Sequence, residues 1–470
     1  MKVIVCGAGE IGSQICFDLS SEDCELTVID RDPNLLRQLI ENIQATGIAG
    51  EAGDPEILYK AGAEDAGLII AVTPSDHANI VICLVARKLR SRAHTMARLE
   101  NARYMEAVGP REVRSERQGA TVVNALINPE YHLAQQTVQI LEKPSLLERR
   151  TVISPNHGEA GEKLFFCAMS LDNSCSLLNT PLRQLSELFP DLDAVVVGLR
   201  RHSRLGIALP DDQLNYGDEV FICTRAATFE RTLQLFGKDV KPCRNVILVG
   251  AGRVGMQVAR QLDAAGQRFR LKVIERDRRR AEAAADALSR TVVLYGDAMA
   301  KEVLEEAGVG AVDAVVAVTH DDRTNLLVAS KAKKENPALV GISLVNDPFL
   351  MPLAGQLGVD ATIDPRGTVM SGILSHCRGR QISSVGYVGN REAEIIEARV
   401  MPSAAFAGRR IRNAGLPTRV RVGAIRNEDD EIVGVGPDTR LETHSKIVFF
   451  SETRDVPELL KQLDGNESVT

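Results

Sequence analysis

The sequence predicts an α/β protein: two doubly wound parallel-sheet domains on one chain, each followed by a small α+β module. Three observations carry this. KVIVCGAGEIG at 2–12 recurs as NVILVGAGRVG at 245–255, VIDRD at 28–32 as VIERD at 273–277, and GLIIAVTPSDHAN at 67–79 as DAVVAVTHDDRTN at 313–325. Such ordered matches at a nearly constant offset mark a tandem duplication. Within each copy short apolar runs alternate with amphipathic segments, and after each copy the character shifts to short strands and frequent turns.

In copy one the apolar runs are Val3–Cys6, Leu26–Ile29, Ala45–Ile48, Leu68–Val72 and Thr95–Arg98. Runs of this length suit strands covered on both faces of a parallel sheet. Helical patterns fill the gaps at Glu10–Ser20, Asn34–Asn42 and Asp76–Leu89, which makes the connections right-handed crossovers. A further strand-like piece and helix follow at 120–141, echoed at 360–376. The stretches 181–224 and 407–450 then match one another as a leading helix, a hairpin and a closing apolar strand. The expected layout is 1–142, 143–235, 243–378 and 379–464, alternately large and small.

Composition narrows the function. The chain has 470 residues, 44% of them hydrophobic and 25% charged, as a soluble globular protein does. Aromatics make up only 4%, Trp is absent and the net charge is -7, so no nucleic-acid partner is expected. The arginine run at 276–280 reads as a solvated helix face. No window reaches the ~18 apolar residues of a spanning helix, and the first residues enter a strand directly. The expectation is therefore a cytosolic chain, free to dock on a membrane protein. Nine cysteines, an odd number without a C-x-x-C pair, read as buried thiols rather than disulfides or a zinc site, and no metal is expected.

The chemistry lies in the two glycine turns. Gly7, Gly9 and Gly12, with Ala8, Glu10 and Ile11 between them, follow a strand and open a helix; Gly250, Ala251, Gly252, Arg253, Val254 and Gly255 repeat the arrangement. This is a Rossmann dinucleotide fingerprint: a tight turn, a backbone that approaches pyrophosphate, and a helix packed close to the strand. The helix N-terminus adds a positive dipole end for the phosphates. Asp30 and Glu275 end the next strands, where an acid hydrogen-bonds ribose hydroxyls and repels a 2′-phosphate, favouring NAD(H) or an adenine nucleotide (ATP or ADP) over NADP.

Other candidates sit at strand ends facing the crevice. Gly53 and Asp54 pair with Gly296 and Asp297, either as ligand contacts or as a turn and cap before Pro55. Thr73, next to Pro74, pairs with Thr319 and offers backbone or hydroxyl groups to ribose or phosphate. Asp76 and Asp322 read as N-caps of the following helices. The copies differ at Glu10 against Arg253 and at Arg98 against Leu344. The Arg253 turn should tolerate a triphosphate, a contrast that Arg98 would weaken by supplying a cation to the first turn.

No catalytic group recurs. None of the eight histidines is shared between the large copies, and no carboxylate pair, metal cluster or nucleophile elbow repeats. The pattern fits a nucleotide sensor. An NAD-dependent oxidoreductase with two cofactor domains is the alternative, and a nucleotide-responsive transcription regulator lacks a recognisable helix-turn-helix.

The order large, small, large, small, with VIVCGAGEIG and ILVGAGRVG, VIDRD and VIERD, and the paired GLIIAVTPSDHAN and DAVVAVTHDDRTN, resembles the tandem regulator-of-potassium-conductance (RCK) family of cytosolic subunits of Trk-type potassium uptake systems. YGDEVFI at 216–222 is similar to that family's closing module strand, although the second module carries His444–Ser445 in place of Gly217–Asp218. The resemblance implies no enzymatic activity. It implies nucleotide-dependent gating of a potassium channel or transporter membrane subunit, facing nucleotide lobes, a homotetramer, and a peripheral position on the cytoplasmic face of the inner membrane.

Overall fold

The computed structural model describes all residues except 21, 90–92, 109–121, 154–161, 203, 239–240, 348, 365–369, 371–372, 375, 379–380, 390 and 466–470. The apolar runs of copy one form β1 (Lys2–Cys6), β2 (Glu25–Asp30), β3 (Thr46–Ala49), β4 (Leu68–Ala71), β5 (His94–Arg98) and β6 (Ala125–Ile127). They pair in parallel in the order β3-β2-β1-β4-β5-β6. The change of direction beside β1 opens the crevice in which doubly wound sheets bind ligands. Central β1 buries Val3, Ile4, Val5 and Cys6 completely, which is why it shows no polar alternation.

The first module forms an antiparallel sheet from β7 (Glu148–Ile153), β8 (Leu164–Ser170), β9 (Ala194–Arg201), β10 (Arg204–Ile207) and β11 (Glu219–Arg225), in the order β10-β9-β11-β8-β7. Copy two repeats the large sheet with β12 (Asn245–Val249), β13 (Arg270–Glu275), β14 (Val292–Tyr295), β15 (Ala314–Ala317), β16 (Val340–Leu344) and β17 (Ala361–Ile363), ordered β14-β13-β12-β15-β16-β17. The second module contributes β18 (Ile382–Val388), β19 (Ala393–Arg399), β20 (Val420–Arg426), β21 (Ile432–Val433) and β22 (Lys446–Glu452), ordered β18-β19-β22-β20-β21. Read from the other edge, that is the topology of the first module.

Two features of the modules depart from expectation. The closing strand of each lies at the centre of its sheet, because β8 and β19, upstream of the matched stretches, pair along its outer side. The leading helix exists in the first module as Leu182–Leu188, whereas the second has only a 3-10 turn at Ile411–Asn413. Gly408 and Gly415 adopt left-handed φ values of +73° and +67° on either side of it, and Pro417 follows, so no helical run propagates.

The His444 substitution preserves the turn. His444 takes φ +65° where Gly217 takes +82°. What changes is the charge behind it. Buried Asp218 accepts two hydrogen bonds from Arg201, at 2.9 and 2.7 Å, and one from the Asn215 amide. Burial pushes its carboxyl up, but these donors outweigh that and hold it below the ordinary range. In the second module Ser445 donates to the Glu442 carbonyl and uncharged Asn427 stands where Arg201 does; Arg426, at the ladder position of Arg200, pairs with Asp430 at 2.8 Å and donates to the Glu162 carbonyl.

The contacts divide the chain into two units. One holds Met1–Pro129 and Thr368–Arg380; the other holds Glu130–Gly367 and Gln381–Thr470. Each large sheet thus carries the helical segment that follows the other copy's sheet. In the second unit, Leu133, Ala134, Ile140 and Leu141 of the helix Pro129–Glu142 join the core of β12, β13 and β15. In the first, Arg378 forms a two-point pair with Glu22 at 2.6 and 2.9 Å, and the His376 ring lies 3.9 Å from that of His94 on β5. Burial first, and the neighbouring His376 second, pull His94 down to about 4.

Within the second unit the two module sheets share one core of Phe166, Val197, Phe221, Cys223, Ile395, Ala424 and Phe450, among others. Glycine permits the approach at one point on each sheet, Gly198 on β9 and Gly423 at the bulge of β20. A Cβ on Gly198 would meet the Phe450 ring at 2.6 Å, and one on Gly423 would meet Cys223 Sγ at 2.5 Å.

Two tests follow from these contacts. Gly198→Val should cost about 1–3 kcal/mol by overpacking, read as a lowered denaturation midpoint of the module pair. Because the folded His94 titrates below its ordinary 6.5, the unfolded chain binds more protons between pH 6.5 and about 4. The stability it contributes is present above pH 6.5 and lost as pH falls through that window. Hydrogen exchange of β4 and β5 should accelerate accordingly, and His94→Gln should flatten the dependence.

Candidate nucleotide-binding site

Both glycine turns fold as the sequence predicts. Gly7 and Gly250 take φ of +111° and +101°, which a side chain rarely adopts. The helices Glu10–Leu19 and Arg253–Ala264 start immediately after, with Gly9 and Gly252 as N-caps and no side-chain cap on either. Gly12 and Gly255 stand so close to the carbonyls of Gly7 and Gly250 that a Cβ at either position would overlap the oxygen. At Gly9 and Gly252 the reverse holds: no atom lies within 4 Å of a Cβ built there. Two glycines of each motif are therefore required by the fold, while the middle one leaves a space beside unpaired helix-end amides. That space fits a pyrophosphate group. Ala8 and Ala251 are buried, whereas Glu10 and Arg253 are exposed and Ile11 and Val254 half-buried.

The strand-end acids are fastened to the turns. Asp30 Oδ2 accepts the Ala8 amide at 2.6 Å and Oδ1 the Asp32 amide at 2.8 Å. Glu275 repeats this, with Oε2 on the Ala251 amide at 2.6 Å and Oε1 on the Asp277 amide at 2.8 Å. Each oxygen keeps a second lone pair for a ribose hydroxyl. Asp30 remains half-buried, while Glu275 is 6% exposed.

The threonines do something other than expected. Asn79, completely buried, accepts from the Thr73 amide (2.9 Å) and hydroxyl (2.7 Å) and donates to the carbonyls of Thr73 and Arg98. Asn325 makes the same four bonds to Thr319 and Leu344. The hydroxyl protons are thus spent on a latch that joins the fourth and fifth strand ends beside the turn, and Pro74 is an exposed neighbour. Asp76 and Asp322 are not the N-caps they were expected to be: Ser75 and Asp321 cap those helices. Asp76 accepts the Glu100 and Asn101 amides, and Asp322 the Asn346 and Asp347 amides, so each pins the loop after the fifth strand.

The pairing of Gly53–Asp54 with Gly296–Asp297 fails in three dimensions. Gly296 hydrogen-bonds the Glu275 carbonyl, and its structural counterpart, bonded to the Asp30 carbonyl, is Gly50. Asp54 caps the helix Pro55–Lys60. Asp297 instead bonds the Met299 amide ahead of the helix Lys301–Glu306, whose cap position is Ala300. The identical Gly-Asp letters fall on different sides of the loop.

Arg98 is also committed. It is 8% exposed and paired with Glu100 at 2.6 Å, so it offers the first turn no uncompensated cation. Arg253 keeps an exposed side chain, 3.9 Å from Glu130 at the start of the helix Pro129–Glu142. Nothing in the local sequence signals that partner. Another feature confined to copy one is the bond between Tyr104 Oη and His77 Nε2 at 2.7 Å.

Comparison with known proteins assigns the family. The TrkA-N domain model matches residues 3–122 and 246–365, and the TrkA-C domain model matches 395–464. A Trk system potassium uptake protein TrkA of Azorhizobium caulinodans is 32% identical over 457 residues, covering 97% of either chain. The chain belongs to the TrkA family. Another TrkA, from Vibrio alginolyticus, is 28% identical over 96% of this chain and 95% of its own. Among solved structures, the GsuK RCK domain superposes with a TM-score of 0.59 at 16% identity, over 98% of this chain and 94% of that one. The GsuK channel bound to NAD gives 0.62 at 15%, over 98% and 78%. For this TrkA-family chain they establish the tandem RCK fold.

The glycines separate fold from ligand in a testable way. Gly12→Ala and Gly255→Ala should each cost about 1–3 kcal/mol or more by forcing helix and turn apart. Gly9→Ala and Gly252→Ala should cost under about 1 kcal/mol, the range of an N-cap change. Chemical denaturation of the four variants reads the difference.

Proposed function

We propose that this chain is a regulatory, non-enzymatic subunit of potassium uptake. It binds NAD(H) and ATP or ADP at its two glycine turns and gates a Trk-type potassium-translocating membrane protein. The observation that carries the reading is the doubled cradle: at Gly9 and at Gly252 the backbone leaves room for phosphate, beside an uncapped helix end and a strand-end carboxylate. The full-length relation to TrkA proteins of the Trk system supports the potassium connection, and the NAD-bound state of the GsuK channel supports the ligand class. No helix among the described residues is long and apolar enough to cross a membrane, so translocation is assigned to a partner.

In this reading the domains are 1–142, 143–235, 243–378 and 379–464, and the chain works as a homotetramer on the cytoplasmic face of the inner membrane. Gly7–Gly12 and Gly250–Gly255 hold the phosphates; Asp30 and Glu275 hold ribose. Arg253 takes the extra charge of a triphosphate. Its contact with Glu130 is long, at 3.9 Å, and its own side chain is exposed, so a phosphate at the turn reaches the guanidinium from the solvent side. Gating requires that nucleotide bind one conformational state better than another, since equal affinity shifts nothing.

Potassium flux through vesicles holding the membrane subunit and this chain tests the proposal. Flux should respond to NADH and to ATP, and the response should disappear in the Gly9→Trp/Gly252→Trp chain while complex formation persists. Unchanged nucleotide response in that variant refutes the reading, and substrate-dependent oxidation of NADH would replace it with the oxidoreductase alternative.

A further inference from the structure

The two turns differ most at the edge where the ribose 2′ position falls, just beyond the second strand. In copy one the residues after Asp30 are Arg31, Asp32, Pro33, Asn34 and Leu35, and the single guanidinium pairs with Glu51 at 3.4 Å. In copy two the residues after Glu275 are Arg276, Asp277, Arg278, Arg279 and Arg280. All four arginines are exposed, and among the described residues the ion pair they form is that of Arg278 with Glu282 at 2.9 Å. Asp277, itself exposed, caps the following helix by accepting the Arg280 amide at 2.9 Å. Glu275 makes the same two amide contacts as Asp30, on Ala251 and Asp277, but is 6% exposed where Asp30 is half-buried. Asp30 is less buried and has no such basic surround.

We propose that the second glycine turn is an NADP(H) site, with the 2′-phosphate held by Arg276, Arg279 and Arg280, while the first turn takes only ligands with an unmodified ribose. This rests on the nucleotide reading above and departs from the sequence expectation that both acids select against a 2′-phosphate. The physical reason is local charge. Three arginines besides the Arg278–Glu282 pair stand after the second strand at one turn, and one, paired with Glu51, at the other, and arginine suits phosphate by its fixed fork of donors. Glu275 still accepts from the 3′-hydroxyl through its remaining lone pairs.

Isothermal titration of the full chain with NADP, NAD and adenosine 2′,5′-bisphosphate tests the assignment, with inorganic phosphate as competitor. NADP and the bisphosphate should bind one site per chain, lost in Gly252→Trp and retained in Gly9→Trp. A Cβ at either glycine meets no atom within 4 Å, and thermal denaturation of both variants separates loss of binding from loss of fold. Arg279→Ala/Arg280→Ala should weaken NADP and the bisphosphate at least about tenfold, the scale of one charge-assisted hydrogen bond, and NAD by less than about twofold. Inorganic phosphate should not displace either ligand at matched concentration. The inference is overturned if NADP binding survives Gly252→Trp, if the arginine variant weakens NAD and NADP equally, or if inorganic phosphate displaces the bisphosphate. NAD binding without NADP binding refutes this inference alone; no nucleotide binding at all refutes the reading beneath it.

Discussion

The packing of Gly12 on the Gly7 carbonyl and of Gly255 on that of Gly250, too tight for a Cβ, is the constraint on which the rest of the site depends. It sets the helix start directly over the turn, so the helix-end amides point into the space that the middle glycine keeps open. The strand-end acid then fixes the turn from behind, through the amide of Ala8 or Ala251. The asparagine latch at Asn79 or Asn325 ties down the neighbouring strand end, against which Gly7 or Gly250 packs. The acid and the asparagine each hold backbone of the turn or of a neighbouring strand end through a fixed side chain. The cradle is therefore preformed, and a ligand does not have to order it.

This explains which parts of the site were legible in the sequence. The glycines, the acids and the buried strands are constrained by local geometry, and local constraint leaves a pattern at fixed spacing. The strand bounds agree within a residue or two for the same reason: a doubly covered parallel strand has to be apolar throughout. Thr73 and Thr319 were correctly placed but misread, because the sequence shows a hydroxyl at a strand end and not the buried amide six residues on that consumes it. The Gly-Asp pairing failed because two identical letters lie three positions apart in the loop once the strand register is known. Glu130 beside Arg253, and Arg378 on Glu22, were illegible in principle. Each joins residues that no repeat or period relates.

The modules show the complementary case. Their shared core depends on Gly198 and Gly423, whose importance appears only when the facing side chains are known. Cys223 and Phe450 occupy matching positions on β11 and β22, yet one is a small thiol and the other a large ring. The duplication kept the backbone approach and changed what fills it. The exchange of Asp218 for Ser445 follows the same course: the left-handed turn survives with a histidine, while the ion pair of Asp218 with Arg201 gives way to Ser445 on the Glu442 carbonyl and an uncharged Asn427.

Taken across both domain types, divergence after duplication spared the bonds that position backbone and fell on the charges around them. That division bears on why two nucleotide turns persist on one chain. Identical sites would respond to one ligand at one concentration and add only steepness. Under the proposed assignment, sites with the same cradle but different surrounding charge take different phosphates, and one chain would read two signals. Coupling between them requires only that both ligands discriminate between the same conformational states, because linkage makes each one's effect on the other reciprocal. The Arg276–Arg280 surround and the exposed Arg253 lie on opposite sides of Glu275 in the sequence, one after the second strand and one in the turn. Either can change without disturbing the clasp that Glu275 makes with Ala251, and that independence is what lets a duplicated cradle acquire a second specificity.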